Sequence, residues 1–255
     1  MNRRKVKKFT ADFETSTPEW YKIDGFARVW AFAISEIGNT NNFIYGNSID
    51  DFMKICSKKG NYTYLFHNLK FDGQYIIDWL FRNGFTHIRD VKEKQDKTFT
   101  TLINDMGQFY NIEVYFHVNG KNINKVTFED SLKLLNFSVE KIAKDFNLEI
   151  RKLELDYKTY RPIGHILTPH EVDYIRNDVT IMAEALQIMY NEGLDRLTIG
   201  SCALNNFKEG TKDFKSLFPI LPGVIHEAIK GSYKGGFTYL NPTHKDEIIE
   251  DITVL

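Results

Sequence analysis

Asp12 and Glu14 stand two residues apart in Thr10-Ala11-Asp12-Phe13-Glu14-Thr15, within a stretch where Phe9, Ala11 and Phe13 alternate with Thr10, Asp12 and Glu14. Such alternation marks a β-strand, whose successive side chains point to opposite faces. The two carboxylates then share one face, about 7 Å apart at ~3.3 Å rise per residue. Like charges that close repel unless a cation lies between them, and an all-oxygen pair suits Mg²⁺ or Mn²⁺. Taken alone, the pair also reads as the solvated polar face of an edge strand. Asp72, in His67-Asn68-Leu69-Lys70-Phe71-Asp72, falls in the first turn of a helix, where the dipole favours a carboxylate whether or not it binds a metal. Asn68 sits at the strand end before it, where it also reads as a helix cap. Tyr174 and Asp178 are four apart on a long helix and share a face. At 3.6 residues per turn, Asp178 lies about 70° from the centre of the apolar stripe, at the border of the core. No Lys or Arg occupies a neighbouring helical position on that side, so a metal ion or loop backbone must partner it. In this order the carboxylates suit two-metal phosphodiester hydrolysis, with one ion activating water and the other steadying the leaving oxygen.

The elements that must position these groups are legible in part. Strands are expected over Lys8–Glu14, Val29–Ile34, Asn42–Tyr45 and Tyr62–Phe66. Ser48 with Asp51 predicts the capped start of a short helix presenting Ile49, Phe52, Met53 and Cys56. Phe71, Tyr75, Ile76, Trp79 and Leu80 keep helical spacing until Asn83-Gly84. Residues 98–130 predict two or three long strands, with turns at Asn104–Gly107 and Asn119-Gly120. A helix is expected around Val139–Phe146. Thr168-Pro169-His170-Glu171 is a capping box opening a long helix that Gly193 ends. Beyond about residue 200 the elements read as short, and Ile248–Leu255 reads as a strand or hairpin that continues past the last residue.

The 255 residues are 42% apolar and 26% charged, the balance of a folded globule rather than a disordered chain. Net charge is −1, so no global field draws the chain onto nucleic acid, and contacts must come from local groups. The clusters Arg3–Lys8, Lys58-Lys59 and Lys121–Lys125 read chiefly as solvated surface. The aromatic share of 14% provides either a ring-filled core or base-stacking surfaces. Cys56 and Cys202 have neither disulfide-framework nor metal-site spacing, which fits a reducing compartment. The basic start precedes no apolar signal-peptide stretch and no run approaches a membrane span, so a cytoplasmic protein with no membrane partner is expected.

The three ordered motifs resemble the DEDD 3′–5′ exonucleases, in the subclass whose last motif carries Tyr. More closely, they resemble the exonuclease motifs of terminal-protein-primed, family B DNA polymerases of bacteriophages. Lys141–Phe146, Gly193–Arg196 and Tyr233–Phe237 also resemble segments of that family, so the similarity runs along essentially the whole chain. It implies an α/β, ribonuclease H-like domain over 1–198, with a mixed sheet flanked by helices. Residues 199–255 would be a linker and the start of a polymerase-like region. Asp12, Glu14, Asp72 and Asp178 would ligate two divalent ions (Mg or Mn), Tyr174 would orient the attacking water, and Lys152 would lie near the scissile phosphate. The family has Gly after that lysine, where this chain has Leu153. Thr15, His67, Asn68, Phe71, Ser131 and Leu132 would hold a single-stranded DNA 3′ end. Tyr233, Lys234, Gly235 and Gly236 resemble the family's Tyr-Arg-Gly-Gly linker, which contacts DNA. Here Lys234 puts a point charge where the family has a guanidinium fork.

The expected activity is therefore proofreading-type exonuclease in the cytoplasm of an infected host cell or with a replicating element. The two carboxylate motifs of the polymerase site are not present in the sequence. The implied partners are a DNA 3′ end and a terminal protein or separate polymerase subunit. The competing reading is a non-catalytic module that binds single-stranded DNA, a terminal protein or a polymerase. A ribonuclease would share the chemistry, since nothing in the sequence reports on a 2′-OH.

Overall fold

A computed structural model describes residues 6–120 and 122–232, with the side chain of Ser232 left out. The chain divides into two compact units with the boundary between Asn206 and Phe207. The first is a mixed α/β unit. Its strands are β1 (Lys7–Thr15), β2 (Val29–Glu36), β3 (Asn39–Gly46), β4 (Asn61–Phe66), β5 (Thr86–His87), β6 (Thr98–Ile103), β7 (Phe109–Asn119) and β8 (Asn122–Asp130). They form one eight-stranded sheet in the order β3-β2-β1-β4-β8-β7-β6-β5. β1, β4 and β8 run parallel, while β2, β3 and β7 pair antiparallel with their neighbours. The parallel trio therefore ends along one edge, at Thr15, Phe66 and Asp130. Open sheets bind ligands beyond the carboxyl ends of such strands.

The alternation in β1 assigns its two faces to different layers. Phe9, Ala11 and Phe13 enter a core completed by α2 (Ile49–Cys56) and α3 (Leu69–Arg82), where the Phe52 ring meets Phe13, Phe32, Tyr64, Phe66 and Phe128. The opposite, polar face is covered by α5 (Pro169–Asn191): Thr10 Oγ1 donates to the Val179 carbonyl at 2.7 Å. Thr10 is only 1% exposed and Glu14 6%, so the edge-strand reading of Asp12-x-Glu14 is corrected; β1 lies inside the sheet with both faces covered. α5 also packs on α4 (Val139–Asp145), enclosing Leu65, Ile142, Ile181 and Leu186. A third cluster joins Trp20 of α1 (Pro18–Asp24) to Trp30, Tyr174 and Val179.

Both capped helix starts are present as read: Ser48 accepts from the Asp51 N–H, and the Thr168–Glu171 capping box is closed in both directions. Residues 98–130 hold three strands, with the expected turns between them. α1 and the two-residue β5 were not among the expected elements. Beyond Thr198 the described residues hold three helices, α6 (Ile199–Gly210), the four-residue α7 (Phe214–Leu217) and α8 (Gly223–Ser232). In the second unit the rings of Phe207, Phe214 and Phe218 meet, Phe207 edge-on to the other two. The Tyr233–Gly236 segment and Ile248–Leu255 lie outside the described residues. Cys56 and Cys202 are buried free thiols.

Candidate functional site

β1 brings Asp12 and Glu14 to the face under α5, and helical spacing turns Asp178 back toward them. Ligand oxygens of these three carboxylates lie within 4.8 Å of one another. Asp72 arrives from the first turn of α3, directly after β4, and is buried close enough for the Asp12 and Glu14 charges to act on it. Next to Glu14 the pairing of β1 with β2 slips: Glu14 faces Ala31 but Thr15 faces Val29, leaving Trp30 as the extra residue. The Trp30 indole N–H donates to the Thr15 carbonyl at 3.2 Å, fixing the strand where it leaves the carboxylates. Bulges commonly re-aim side chains beside functional sites in this way.

The electrostatics are those of a crowded acid cluster. Burial, and then the Asp178 charge, push Asp12 up to about 7. Burial followed by the Asp12 charge holds Glu14 and Asp72 well above the carboxylate range. Burial also raises Asp178, against the opposing pull of Lys152. Asp72 Oδ1 and Asp178 Oδ1 are buried with no hydrogen-bond partner among the described residues. Unpartnered buried carboxylate oxygens are costly unless a cation is added. The donor set is all oxygen, which fits Mg²⁺ or Mn²⁺.

Lys152 Nζ lies 2.6 Å from Asp178 Oδ2 and 5.4 Å from the Tyr174 ring centroid. The partner that the helix itself does not offer Asp178 thus comes from a loop 26 residues away, which corrects the expectation of a metal or loop backbone alone. Burial works to lower the lysine's pKa, but Asp178 outweighs it and keeps the ammonium charged. Tyr174 is buried, and its hydroxyl lies 2.6 Å from that of Tyr157. Burial and the Glu14 charge raise the Tyr174 phenol, so it keeps its proton and can only act as a neutral donor or acceptor. The sequence reading missed Tyr157; it lies in an irregular segment and no spacing pattern marks it.

The other expected residues line the same sheet edge. His67 is neutral, its pKa lowered by burial; its Nε2 lies 2.6 Å from the Phe137 carbonyl, and its Nδ1 is 3.1 Å from Ser131 Oγ. Ser131 is itself buried, with its hydroxyl 3.0 Å from the Phe66 carbonyl, so it braces His67 rather than facing solvent. Asn68 takes a left-handed backbone (φ 78°) and donates its N–H to Asp130 Oδ1, leaving its side chain exposed. Phe71 is 49% exposed, so it is not a core ring. Leu132 and Thr15 are half-buried. Beside Phe71 a cleft of 1160 Å³ opens, lined by Tyr21, Phe26, Arg28, Tyr75 and Arg82 among others. None of the four site carboxylates lines it, so it adjoins the acid cluster rather than containing it.

The family described as DNA polymerase type B, organellar and viral, matches residues 53–255. The DNA polymerase of Bacillus phage Nf is 45% identical over 245 residues, covering 95% of this chain and 41% of that polymerase. Phi29 DNA polymerase complexed with single-stranded DNA matches with a TM-score of 0.80 at 41% identity, over 94% of this chain and 41% of the polymerase. The same polymerase with primer-template DNA and incoming nucleotide substrates gives a TM-score of 0.83 over the same shares. The chain spans about two fifths of the length of the relatives it matches.

Proposed function

Given that this chain belongs to the organellar and viral type B DNA polymerases, we propose that its acid cluster is a metal-dependent 3′–5′ exonuclease centre acting on single-stranded DNA. The carrying observation is the convergence of Asp12, Glu14 and Asp178 on one volume, with Asp72 beside them and two buried oxygens left unpartnered. In this reading residues 1–198 form a ribonuclease H-like exonuclease domain and 199–255 a linker with a polymerase-like start. The domain would proofread for a protein-primed replicase in an infected cell, with a terminal protein or polymerase subunit as partner. Among the described residues no helix is long and apolar enough to cross a membrane.

The four carboxylates would hold the ions. Divalent cations bound there supply charge neutralisation at the phosphodiester and activate water. Lys152, charged and 2.6 Å from Asp178, would meet a non-bridging phosphate oxygen. Tyr174 keeps its proton and so orients water rather than deprotonating it. The exposed Phe71 ring stacks on a base, while Thr15, His67 and Asn68 with Leu132 border the terminal sugar, and Ser131 fixes the His67 ring. In-line attack of water oxygen on the terminal phosphorus breaks the P–O3′ bond and releases a nucleoside monophosphate. The phi29 polymerase solved with single-stranded DNA supports this choice of substrate.

The test is degradation of a 5′-labelled single-stranded DNA, with an RNA of the same sequence alongside, with and without Mg²⁺ or Mn²⁺. A metal-dependent ladder shortening from the 3′ end of the DNA is expected. Asp12→Ala with Glu14→Ala should abolish it, a loss above about 10³-fold, while strand binding persists. A folded wild-type protein that binds the strand without cutting it would be the non-catalytic binding module instead.

A further inference from the structure

Residues 151–161 carry no regular secondary structure, yet they run antiparallel along one face of α5. Lys152 meets Asp178, Tyr157 meets Tyr174, and Arg161 Nε meets Glu171 Oε1 at 2.5 Å. The three partners on α5 are separated by three and four residues, so they stack on one helix face. Two of these rungs reach the acid cluster, and the third lies a helical turn beyond it.

That third rung is built with more care than a chain fastening needs. Arg161 is 4% exposed. Its Nη1 donates to the carbonyls of Asp156 and Thr159, both at 2.9 Å, on either side of Tyr157 and Lys158. Its guanidinium lies over Trp30, the bulge residue beside Glu14, at 4.4 Å. Glu171 turns its other oxygen to His165 Nε2 at 2.7 Å and to the Thr168 N–H at 2.9 Å. Replacing a buried ion pair by apolar groups often costs little stability, so such a pair is weak evidence for a stabilising role. A guanidinium is the one side chain that can serve a carboxylate and two carbonyls while stacking on an indole.

We propose that Arg161 is a positioning residue for the nuclease centre: by gripping Glu171, Trp30 and the two carbonyls flanking Tyr157, it sets where Tyr157 and Lys152 stand against Tyr174 and Asp178. The proposal rests on the exonuclease reading of the acid cluster. Arg161 forms no hydrogen bond or ion pair with any of the four carboxylates; its charge is felt at Glu14, and Arg161→Lys keeps that charge while removing the grip on the segment.

The test uses the full 255-residue chain with Arg161→Lys and with the pair Arg161→Met/Glu171→Gln, which removes both charges and leaves no orphaned carboxylate. Both should bind 5′-labelled single-stranded DNA within about threefold of wild type and cleave it at saturation about 10- to 100-fold more slowly, the usual loss when an outer support is removed. Adding Lys152→Met to Arg161→Lys should cost little beyond Lys152→Met alone, because the two act through one element. Wild-type cleavage by Arg161→Lys, or fully additive losses with Lys152→Met, would overturn the proposal. Amide hydrogen exchange over 151–160 gives an independent readout: faster exchange there, and not across β1 or α5, is expected in Arg161→Lys. Unchanged exchange overturns the proposal even if the wild-type protein cuts DNA. If wild-type protein does not cut, the exonuclease reading fails, and the exchange result alone decides whether Arg161 fastens the segment. Should the Met/Gln pair fail to fold, Arg161→Lys carries both readouts.

Discussion

Asp12 ordinarily ionises near 3.8, but burial and Asp178 hold it at about 7. Between those values the folded chain keeps a proton that the unfolded chain has lost, so folding stability falls as pH rises through this window. Glu14 and Asp72 act in the same direction. Glu171 acts in the opposite one: burial works to raise it, but the Thr168 N–H, His165 and Arg161 bring it to about 2, so its contribution is lost only as pH falls from 4.5 toward 2. Metal-free protein should therefore melt at a lower temperature at pH 8 than at pH 5.5. Millimolar Mn²⁺ should raise Tm more at pH 8, where ions need not displace protons. A Tm response to Mn²⁺ that is equal at both pH values would count against the acid cluster as the cation site. Phe71→Ala, at a half-exposed ring, should change stability by less than about 0.5 kcal/mol. It should weaken single-strand binding by about 1–3 kcal/mol if the ring stacks on a base, measured by anisotropy of a labelled oligonucleotide. At this scale the four carboxylates were legible from strand and helix spacing only when the three motifs were read together in their order, since each alone had an ordinary structural explanation. Lys152 was named only through the family resemblance, while Tyr157 and Arg161 gain their meaning from contacts across a loop that has no period to read.

The elements carry their own energetics. α2 is eight residues long and would be marginal alone; it is held by the Ser48 cap and by burying Phe52, Met53 and Cys56. Phe52 is fully buried against rings from β1, β2, β4 and β8, so Phe52→Ala should cost about 3–5 kcal/mol, read from urea unfolding. Because β1 carries the acids on its other face, that loss should also loosen cation binding. Capping chemistry and a 3.6 or 2-residue period made α2, α3, α5 and the β6–β8 meander readable. α1 escaped notice because Trp20 is its one buried residue, and β5 because two residues hold no period. The bulge at Trp30 was equally invisible, since a one-residue slip leaves composition unchanged.

At the scale of the molecule, every buried cluster among the described residues lies before the boundary at Asn206. The expected domain limit at residue 198 comes just before α6, whereas the compact unit extends through most of that helix and takes in the buried Cys202. A chain ending at Asn206 should therefore unfold in one cooperative step and keep the pH-dependent Mn²⁺ response, followed by circular dichroism at 222 nm. A chain ending at Thr198, which loses Cys202 from the cluster of Ile142 and Leu186, should melt several degrees lower, at roughly 2–4 °C per kcal/mol for a domain of this size. If the two fragments melt alike, α6 adds nothing to the first unit.

The carboxylates of β1 lie within Lys7–Thr15, yet the helix that covers their face begins far along the chain, at Pro169. A ribosome delivers the chain in that order, and long-range pairings such as β1 with α5 form only once both partners have emerged. Until α5 has emerged, Asp12 and Glu14 therefore sit on a sheet face without that cover and lack Asp178. Whatever chemistry the completed cluster performs therefore waits for Asp178, so a nascent chain abandoned before α5 carries part of a site and no means to use it.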